Sequence, residues 1–274
     1  MRIEIPKPME AIRLVAEEND FGIACDLTCF TTAVPYEDIP TETRVEGRLV
    51  ASRAVYEVVG GVEGWVSING KRYEAKQDTW SFFRNHSWGS MPGRGGPREH
   101  AAPVRDPQTM SGLRNWVLYR MPDHGGIYIL HEDKDGTRKS EEGAILLERT
   151  QRKVTSIELS HEYYPGSPKR LKGGEFTLID ETGTGRTYEL EDLGWIYCQG
   201  GGYFLQGYAD GLGMGVYRGD YHEEGEVWDV SHPTKVRESD GSEKEFTHAW
   251  AENFVRIKSD NQTGLAHFEC VVMD

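Results

Sequence analysis

The sequence predicts an all-β protein built from two antiparallel β-barrels or strongly curved sheets, with very little helix. Three observations support this fold class: apolar and polar residues alternate with a period of two, the apolar runs are short, and turn residues separate them. The helical patterns between strands that a doubly wound sheet needs are absent. The 274 residues suffice for two domains. About sixteen short strands fit two eight-stranded barrels better than one.

Two segments show the strand pattern most clearly. In residues 23–30, Ile23, Cys25, Leu27 and Cys29 fall on one face of a strand. Residues 64–73 predict a hairpin, because Asn69-Gly70 can supply the two positive-φ positions of a type I′ turn. Further strands are predicted at 116–121, 126–131, 144–148, 154–159, 176–180, 187–190, 195–197, 215–217, 227–230, 254–257 and 267–272.

Residues 8–19 are the exception to the strand rhythm. Their apolar positions are Met9, Ile12, Leu14 and Val15. This spacing is compatible with one face of a helix and predicts a short one.

The segment richest in loop-forming residues predicts the domain boundary. Residues 90–97 hold several glycines and prolines, and residues 101–109 continue without a strand pattern. We place the passage between domains at 90–109, which gives one domain at 1–110 and another at 111–274. A long loop inside a compact protein often carries function, so a lid is the alternative. The last strand could also return to the first domain.

Charge and hydropathy exclude several classes of partner. Lys plus Arg number 31 and Asp plus Glu number 45, which gives a formal net charge of −14. Such a chain repels phosphate backbones and anionic lipid surfaces, so we expect neither nucleic acid nor membrane as a partner. No apolar run approaches the length of a membrane-spanning helix, and the N-terminus lacks the apolar core of a signal peptide. We expect a cytoplasmic protein.

The four cysteines are too sparse for a disulfide framework. They are Cys25, Cys29, Cys198 and Cys270. We interpret them as small, reduced, mostly buried hydrophobic residues rather than metal ligands or bridges.

The densest group of unusual residues lies at 78–89. On a strand, Arg84 and His86 share one face with aromatic residues. Those aromatic residues are Trp80, Phe82 and Trp88. One interpretation is that the charged pair lies at the surface while the rings pack. Burying an unpaired Arg is costly, however, so the pattern favours a polar pocket inside an apolar one.

The block from Arg84 to Gly89, Arg-x-His-Ser-Trp-Gly, resembles a signature of the lipocalin-like superfamily that includes carotenoid 1,2-hydratases and AttH-type proteins. Residues 56–66 are similar to the strand and hairpin before that signature. Residues 213–219, 226–229 and 264–269 are similar to its closing strands. The resemblance implies two lipocalin-like barrels. It also implies acid chemistry without a cofactor, with His86 and Trp88 in the cavity.

The chain departs from the hydratase pattern at two places. Where that pattern has Tyr-x-Asp, this chain reads Tyr119-Arg120-Met121, so the carboxylic acid used for hydration is missing. Asn85 stands where the signature has Asp. The chain is also short for the superfamily. These departures argue against a carotenoid and favour a smaller, more polar substrate.

Other clusters carry weaker signals. His222, Glu224 and Glu226 alternate in a way that could present metal ligands on one strand face, but the flanking glycines favour an acidic turn. His131 ends an apolar run and could face a cavity or solvent, and residues 161–164 have the pattern of a strand end. Phosphate-binding glycine loops, the Gly-x-Ser-x-Gly motif and His-Glu-x-x-His are absent, which disfavours nucleotide-dependent and common hydrolase chemistry.

These observations favour a cofactor-independent lyase, hydratase or isomerase that acts by acid–base chemistry on a hydrophobic aromatic or terpenoid molecule. His86 would transfer protons, Arg84 would hold an oxyanion or a partner carboxylate such as Asp78, and Tyr119 would be a second proton donor. The substrate-binding candidates are Trp65, Trp80, Trp88 and His131. We expect no cofactor and no metal.

Two other functions remain open at this point. A lipocalin-like barrel can be a non-catalytic carrier or sensor of a hydrophobic ligand, and fold alone does not distinguish the two. An interaction module with a packed core is the third interpretation. The expected partner is a hydrophobic small molecule, and a homodimer is compatible with the sequence.

Overall fold

The fold is described from a computed structural model. It describes residues 1–45, 47–90, 112–166, 169–197, 217–222, 227–237, 240–245 and 251–273. The predicted all-β class is confirmed, since the described residues form strands, turns and irregular segments without helix. Accordingly, the described part of the chain offers no helix that is long and apolar enough to cross a membrane.

The first sheet is antiparallel and contains eight strands. Its strands are β1 (Arg2–Lys7), β2 (Ala11–Ala16), β3 (Ile23–Thr31), β4 (Tyr36–Glu37), β5 (Thr41–Val45), β6 (Arg48–Ile68), β7 (Lys71–Ala75) and β8 (Ser81–Ser90). The 21-residue strand β6 is its centre, because β3, β4, β5, β7 and β8 all pair with it. One face of β6 therefore contributes to several neighbouring parts of the sheet.

The second unit is a closed antiparallel barrel of eight strands. Its strands are β9 (Gly112–Arg120), β10 (Gly125–Glu132), β11 (Arg138–Leu146), β12 (Gln151–Tyr163), β13 (Leu171–Asp180), β14 (Gly185–Tyr197), β17 (Ala251–Ser259) and β18 (Gln262–Met273). A separate small ribbon pairs β15 (Lys235–Arg237) with β16 (Glu243–Glu245). The C-terminal strand β18 pairs with β17 and β9, and so closes the barrel.

The strand boundaries correct three local expectations. The helix expected at residues 8–19 is wrong: β1 and β2 form a hairpin there, with Met9 at a φ of 62°. The predicted runs 187–190 and 195–197 belong to the single strand β14. The run 227–230 is not a strand, and only Asp229 forms an isolated bridge, with Arg237.

The hairpin replaces the helix because alternate residues of β2 have different environments. Ile12 and Leu14 lie opposite Cys29 and Leu27 of β3, on the apolar face of the sheet. Arg13 lies on the other face and donates to both carboxylate oxygens of Asp26, at 2.8 and 2.7 Å. Alternation with a period of two thus places the apolar residues on the apolar face of the sheet and Arg13 beside Asp26. A helix would not separate them in this way.

The predicted type I′ hairpin is confirmed. Ile68 pairs with Lys71, and the two turn residues between them have positive φ, 49° at Asn69 and 77° at Gly70. Cys25, Cys29 and Cys270 are free thiols, while Cys198 lies outside the described residues.

The outside of the barrel packs against the first sheet. Val59 of β6 and Ala33, in the connection between β3 and β4, share a buried apolar cluster with barrel residues. The barrel residues of this cluster are Leu118, Ile127, Ala144 and Leu146. Arg120 extends from β9 and donates to the carbonyl oxygens of Gln77 and Trp80, at 2.7 and 3.1 Å. The two units therefore share one interface.

All strands of the first sheet lie within 2–90 and all strands of the barrel within 112–273. Residues 91–111 lie outside the described residues, so the passage expected at 90–109 is described only at Ser90. The domain boundary near residue 110 stays a prediction.

Aromatic residues fill the barrel interior. The largest fully buried side chains there are Tyr119, Tyr128, Phe176, Tyr188 and Phe268. Tyr188 and Phe176 stack with their ring centroids 4.7 Å apart. A polar row continues from Tyr119 Oη through Tyr188 Oη, 3.2 Å away, to His124 Nε2 at 2.8 Å. The buried hydroxyls are thereby satisfied.

His161 packs against the barrel core and leaves one ring nitrogen unpaired within the described part of the chain. Its ring meets the edge of Phe268, and its Nδ1 lies 3.4 Å from the Tyr163 hydroxyl and 4.0 Å from Cys270 Sγ. Its Nε2 is buried and has no hydrogen-bond partner among the described residues. Burial lowers the pKa of His161 to about 4.

The Gly126 backbone is predicted to tolerate no side chain. A methyl group at this position would overlap the buried Tyr119 ring, which lies opposite on β9. We expect Gly126→Ala to destabilise the fold by about 1–3 kcal/mol through overpacking. Gly185→Ala is the matched control, since its nearest atoms would be 3.8 Å away. Chemical denaturation measures both, and equal stabilities would contradict this account of the core.

His161 should make the fold sensitive to acid. Its folded-state pKa is about 4, below the value of about 6.5 expected for an unfolded histidine. As pH falls from 7 to 4.5, the unfolded chain takes up a proton that the folded chain does not, so stability is lost. The loss through this group is about 2 kcal/mol.

His161→Gln should remove that share of the pH dependence. Unfolding free energies at pH 7 and pH 4.5, measured beside His232→Gln at an exposed histidine, test the sign. A His161→Gln protein that loses as much stability in acid as its parent would exclude this role.

Candidate active site

The pairing of β6 with β8 assembles the candidate site. Tyr56 lies opposite His86, Val58 opposite Arg84 and Ala54 opposite Trp88. The register from Ser52 to Gly61 contains no bulge, so alternate residues keep to one face. We call Tyr56, Arg84, His86 and Trp88 the Arg84–His86 cluster.

Arg84 links the two titratable side chains of the cluster. Its Nη1 donates to the Tyr56 hydroxyl oxygen, and its Nη2 lies 3.0 Å from His86 Nδ1. Arginine has only donors, so Nδ1 of His86 must accept this bond. The proton of the neutral imidazole then resides on Nε2. The cluster thus offers two remaining donors, the Tyr56 O–H and the His86 Nε2–H, beside a fixed positive charge.

The rings of the cluster form an aromatic surface around these donors. Tyr56 and His86 stack with centroids 5.1 Å apart and an interplanar angle of 21°. Trp88 is tilted against both rings, with centroids 6.2 Å from Tyr56 and 5.8 Å from His86. Trp88 is 56% exposed and His86 is exposed, whereas Tyr56 and Arg84 are half-buried. The surface is accessible and can cover one flat face of a ligand.

The predicted residues Trp80 and Phe82 serve the core rather than this surface. Both pack against a buried apolar cluster of the first sheet. The buried members of that cluster are Cys29, Val62 and Ala75. The aromatic run therefore divides along β8 into a packed end and an open end.

The structure does not bring the other sequence candidates into the cluster. Asp78 lies in the turn before β8, and the positive charge that it influences is Arg120. The Arg72 guanidinium covers the Trp65 ring at 4.4 Å from its centroid. Arg84 has Tyr56 and His86 as partners in place of the expected carboxylate.

Two further candidates belong to the barrel. Tyr119 is fully buried and contacts Tyr188. His131 alternates with the inward-facing Leu130 and Tyr128, so it lies on the outer face, where its Nδ1 is 3.0 Å from Ser140 Oγ. Burial, with a smaller effect from Arg114, lowers the pKa of His131.

Sequence reasoning missed Tyr56 and Glu57. Tyr56 reaches the site only through the pairing of strands about thirty positions apart, which no local pattern encodes. Glu57 lies on the opposite face of β6, is completely buried, and accepts a 2.8 Å hydrogen bond from Asn85 Nδ2 at Oε1. Burial raises the pKa of Glu57 to about 7. The Asn in place of the signature Asp is the signal that could have indicated a buried carboxyl partner.

The metal hypothesis for the acidic turn is only partly within the described residues. His222 is described and exposed, whereas Glu224 and Glu226 are not described. Within the described ranges, no group of three His, Cys, Asp or Glu residues could hold a metal ion.

Two solved structures are similar to this chain. The crystal structure of a Nitrosomonas europaea protein provisionally assigned as AttH matches 97% of this chain and 66% of its own, with a TM-score of 0.53 and 10% identity. Kievitone hydratase from Nectria haematococca matches with a TM-score of 0.46 and 10% identity, over 96% of this chain and 65% of its own. The chain therefore spans just under two thirds of the length of both structures. At 10% identity, the likeness to the Nitrosomonas protein shows a shared fold, which agrees with the lipocalin-like architecture that the sequence resemblance implied.

No curated protein matches the chain significantly. One family model does, and it covers residues 1–274. The chain belongs to that family, DUF8625, a family of unknown function.

Proposed function

We propose that this protein is a cofactor-independent lyase of the hydratase type, or an isomerase, that transfers protons to or from a hydrophobic aromatic or terpenoid molecule. The Arg84–His86 cluster would be its active site. The observation that carries the proposal is the position of Arg84, which bonds two titratable side chains at once beside an exposed indole.

Tyr56 is the group best placed to donate a proton to a ligand. Its oxygen already accepts a hydrogen bond from Arg84, so its proton is free to point toward a ligand. The phenolate that forms after proton donation would be stabilised by the adjacent guanidinium. Return of a proton from substrate or water would restore the hydroxyl and complete the cycle.

His86 would act beside Tyr56 as a second donor. Because Arg84 occupies Nδ1, the Nε2–H can bond an oxygen that gains negative charge during the reaction. Arg84 positions both donors and keeps the positive charge close to that oxygen. This assignment of roles differs from the expectation from sequence, in which His86 transfers protons and Tyr119 is a second proton donor.

Trp88 would bind the apolar part of the substrate. Its exposed face continues from the Tyr56 and His86 rings, and flat rings or prenyl groups pack well on indole. A substrate with an oxygen near its apolar group would contact both parts of the cluster.

A carrier of hydrophobic ligands is the alternative. A carrier needs one polar anchor, whereas the cluster supplies two titratable donors and a cation. The additional polar groups favour catalysis. If the protein is a carrier, the same residues would bind an oxygen-bearing ligand without reaction.

The substrate can be sought through solvent isotope incorporation. The protein is incubated in D2O with pooled aromatic and terpenoid metabolites, and mass spectrometry detects addition of D2O or exchange of carbon-bound hydrogen. The same pools are screened for thermal stabilisation of the protein. Stabilisation by a compound that shows neither addition, elimination nor exchange would favour the carrier.

On the substrate so identified, Tyr56→Phe and His86→Ala should each lower turnover by about 10² to 10⁴ with little change in unfolding temperature, the usual effect of losing an acid–base group. Arg84→Ala should reduce binding and turnover together, because its charge acts in both ground and transition states. His232→Ala, at an exposed histidine, is the control. Full activity of both Tyr56→Phe and His86→Ala would exclude the cluster as the active site.

A further inference from the structure

A buried carboxyl group lies on the face of β6 opposite the Arg84–His86 cluster. Glu57 has no exposed surface. Asn85 donates to its Oε1, whereas its Oε2 is buried and has no hydrogen-bond partner among the described residues. An unsatisfied buried oxygen of this kind costs about 1–3 kcal/mol. Such a group can be retained where a ligand supplies the missing donor.

Strand register places three half-buried side chains on the face of Glu57, and a fourth approaches that face from the barrel. Tyr36 lies directly opposite it on β4, and Asp38 follows two positions later, its N–H bonded to Val55 O at 3.0 Å. Arg53 precedes Glu57 by four positions, and Glu142 comes from the outer face of β11. All four are partly exposed, while Glu57 is not. We call this group of five residues the Glu57 cluster.

Glu142 faces the first sheet because of its position on the barrel. It alternates with Ala144 and Leu146, and these two share the buried cluster with Val59 of β6. The charge of Glu142 also contributes to the raised pKa of Glu57. The Glu57 cluster thus contains residues from both units.

The Glu57 cluster carries an excess of negative charge. Burial raises the pKa of Glu57, Asp38 and Glu142, and the charge of Asp38 adds to that effect at both glutamates. Burial and the neighbouring carboxylates also raise the pKa of Tyr36. The charged group that opposes these shifts is Arg53. Three carboxyl groups therefore face one guanidinium.

The side chains of the Glu57 cluster are better suited to an organic cation than to a metal ion. A metal draws its ligands to within about 2.0–2.6 Å, and the described residues contain no group of three acidic, His or Cys side chains so arranged. An alkylammonium group is larger, donates several hydrogen bonds and is attracted to the face of an aromatic ring such as Tyr36.

We propose that the Glu57 cluster binds a small organic ammonium ion, with an N–H donated to Glu57 Oε2, its charge balanced by Asp38 and Glu142, and its alkyl part against Tyr36. This site is separate from the Arg84–His86 cluster and does not depend on the proposed reaction. A ligand there would contact both the first sheet and the barrel and would stabilise their interface.

Putrescine is the probe, and 1,4-butanediol is its neutral counterpart of similar size. Isothermal titration should detect putrescine binding at pH 8 and no binding of the diol. Affinity should fall about tenfold between pH 8 and pH 6, because the binding form of Glu57 is the carboxylate and its pKa is about 7. At pH 6, binding should release a proton, which titrations in buffers of different ionisation enthalpy reveal.

Glu57→Gln should lower the affinity for putrescine at least tenfold at pH 8 and remove most of its pH dependence. The amide of the introduced glutamine resembles the protonated carboxyl in shape. Glu142→Gln provides a second variant, on the barrel side of the Glu57 cluster. Glu189→Gln removes the same charge from an exposed position on the barrel and is the control for non-specific attraction to this anionic chain. Equal losses in Glu57→Gln and Glu189→Gln, or unchanged binding in Glu57→Gln, would overturn the proposal.

Discussion

The uninterrupted alternation of β6 is the constraint on which the two candidate sites depend. Over its pairing with β8, from Ser52 to Gly61, the register has no bulge. Neighbouring residues on each strand therefore have opposite environments. Tyr56 faces the accessible aromatic surface, while Glu57 faces the barrel. A one-residue slip would bury the Arg84–His86 cluster and expose the apolar interface, so barrel packing also fixes the site.

The pair formed by Asn85 and Glu57 explains one departure from the resembled signature. An Asp at position 85 would place a second carboxylate beside a buried one, and two such charges repel strongly when both are ionised. The amide instead donates a hydrogen bond and partly satisfies Glu57. The exchange of Asp for Asn thus serves the interface behind the cluster. The imidazole and guanidinium in front of it remain in place.

Local sequence patterns predict only the features that local geometry controls. This limit explains which sequence predictions were confirmed and which were wrong. The shared face of Arg84, His86 and Trp88 follows from period two, as does the Asn69-Gly70 hairpin. The helix expected at residues 8–19 fails because the ion pair of Arg13 with Asp26 exists only once β2 lies beside β3. The partnership of Tyr56 with Arg84 likewise requires two strands to find their register. Barrel closure, which removes Tyr119 from the site, is equally non-local.

The exposed indole sets a limit on what the Arg84–His86 cluster can bind. A large aromatic side chain has about 150–250 Å² to bury, and Trp88 is 56% exposed. Covering the remainder at about 25 cal/mol per Å² contributes about 2–3.5 kcal/mol. Association costs at least about 4 kcal/mol in lost freedom of motion, so apolar contact with Trp88 alone does not produce binding. The hydrogen bonds from Tyr56, His86 and Arg84 must supply the difference. A pure hydrocarbon lacks the acceptor for these bonds, and the physical chemistry therefore selects a ligand that carries oxygen beside its apolar group.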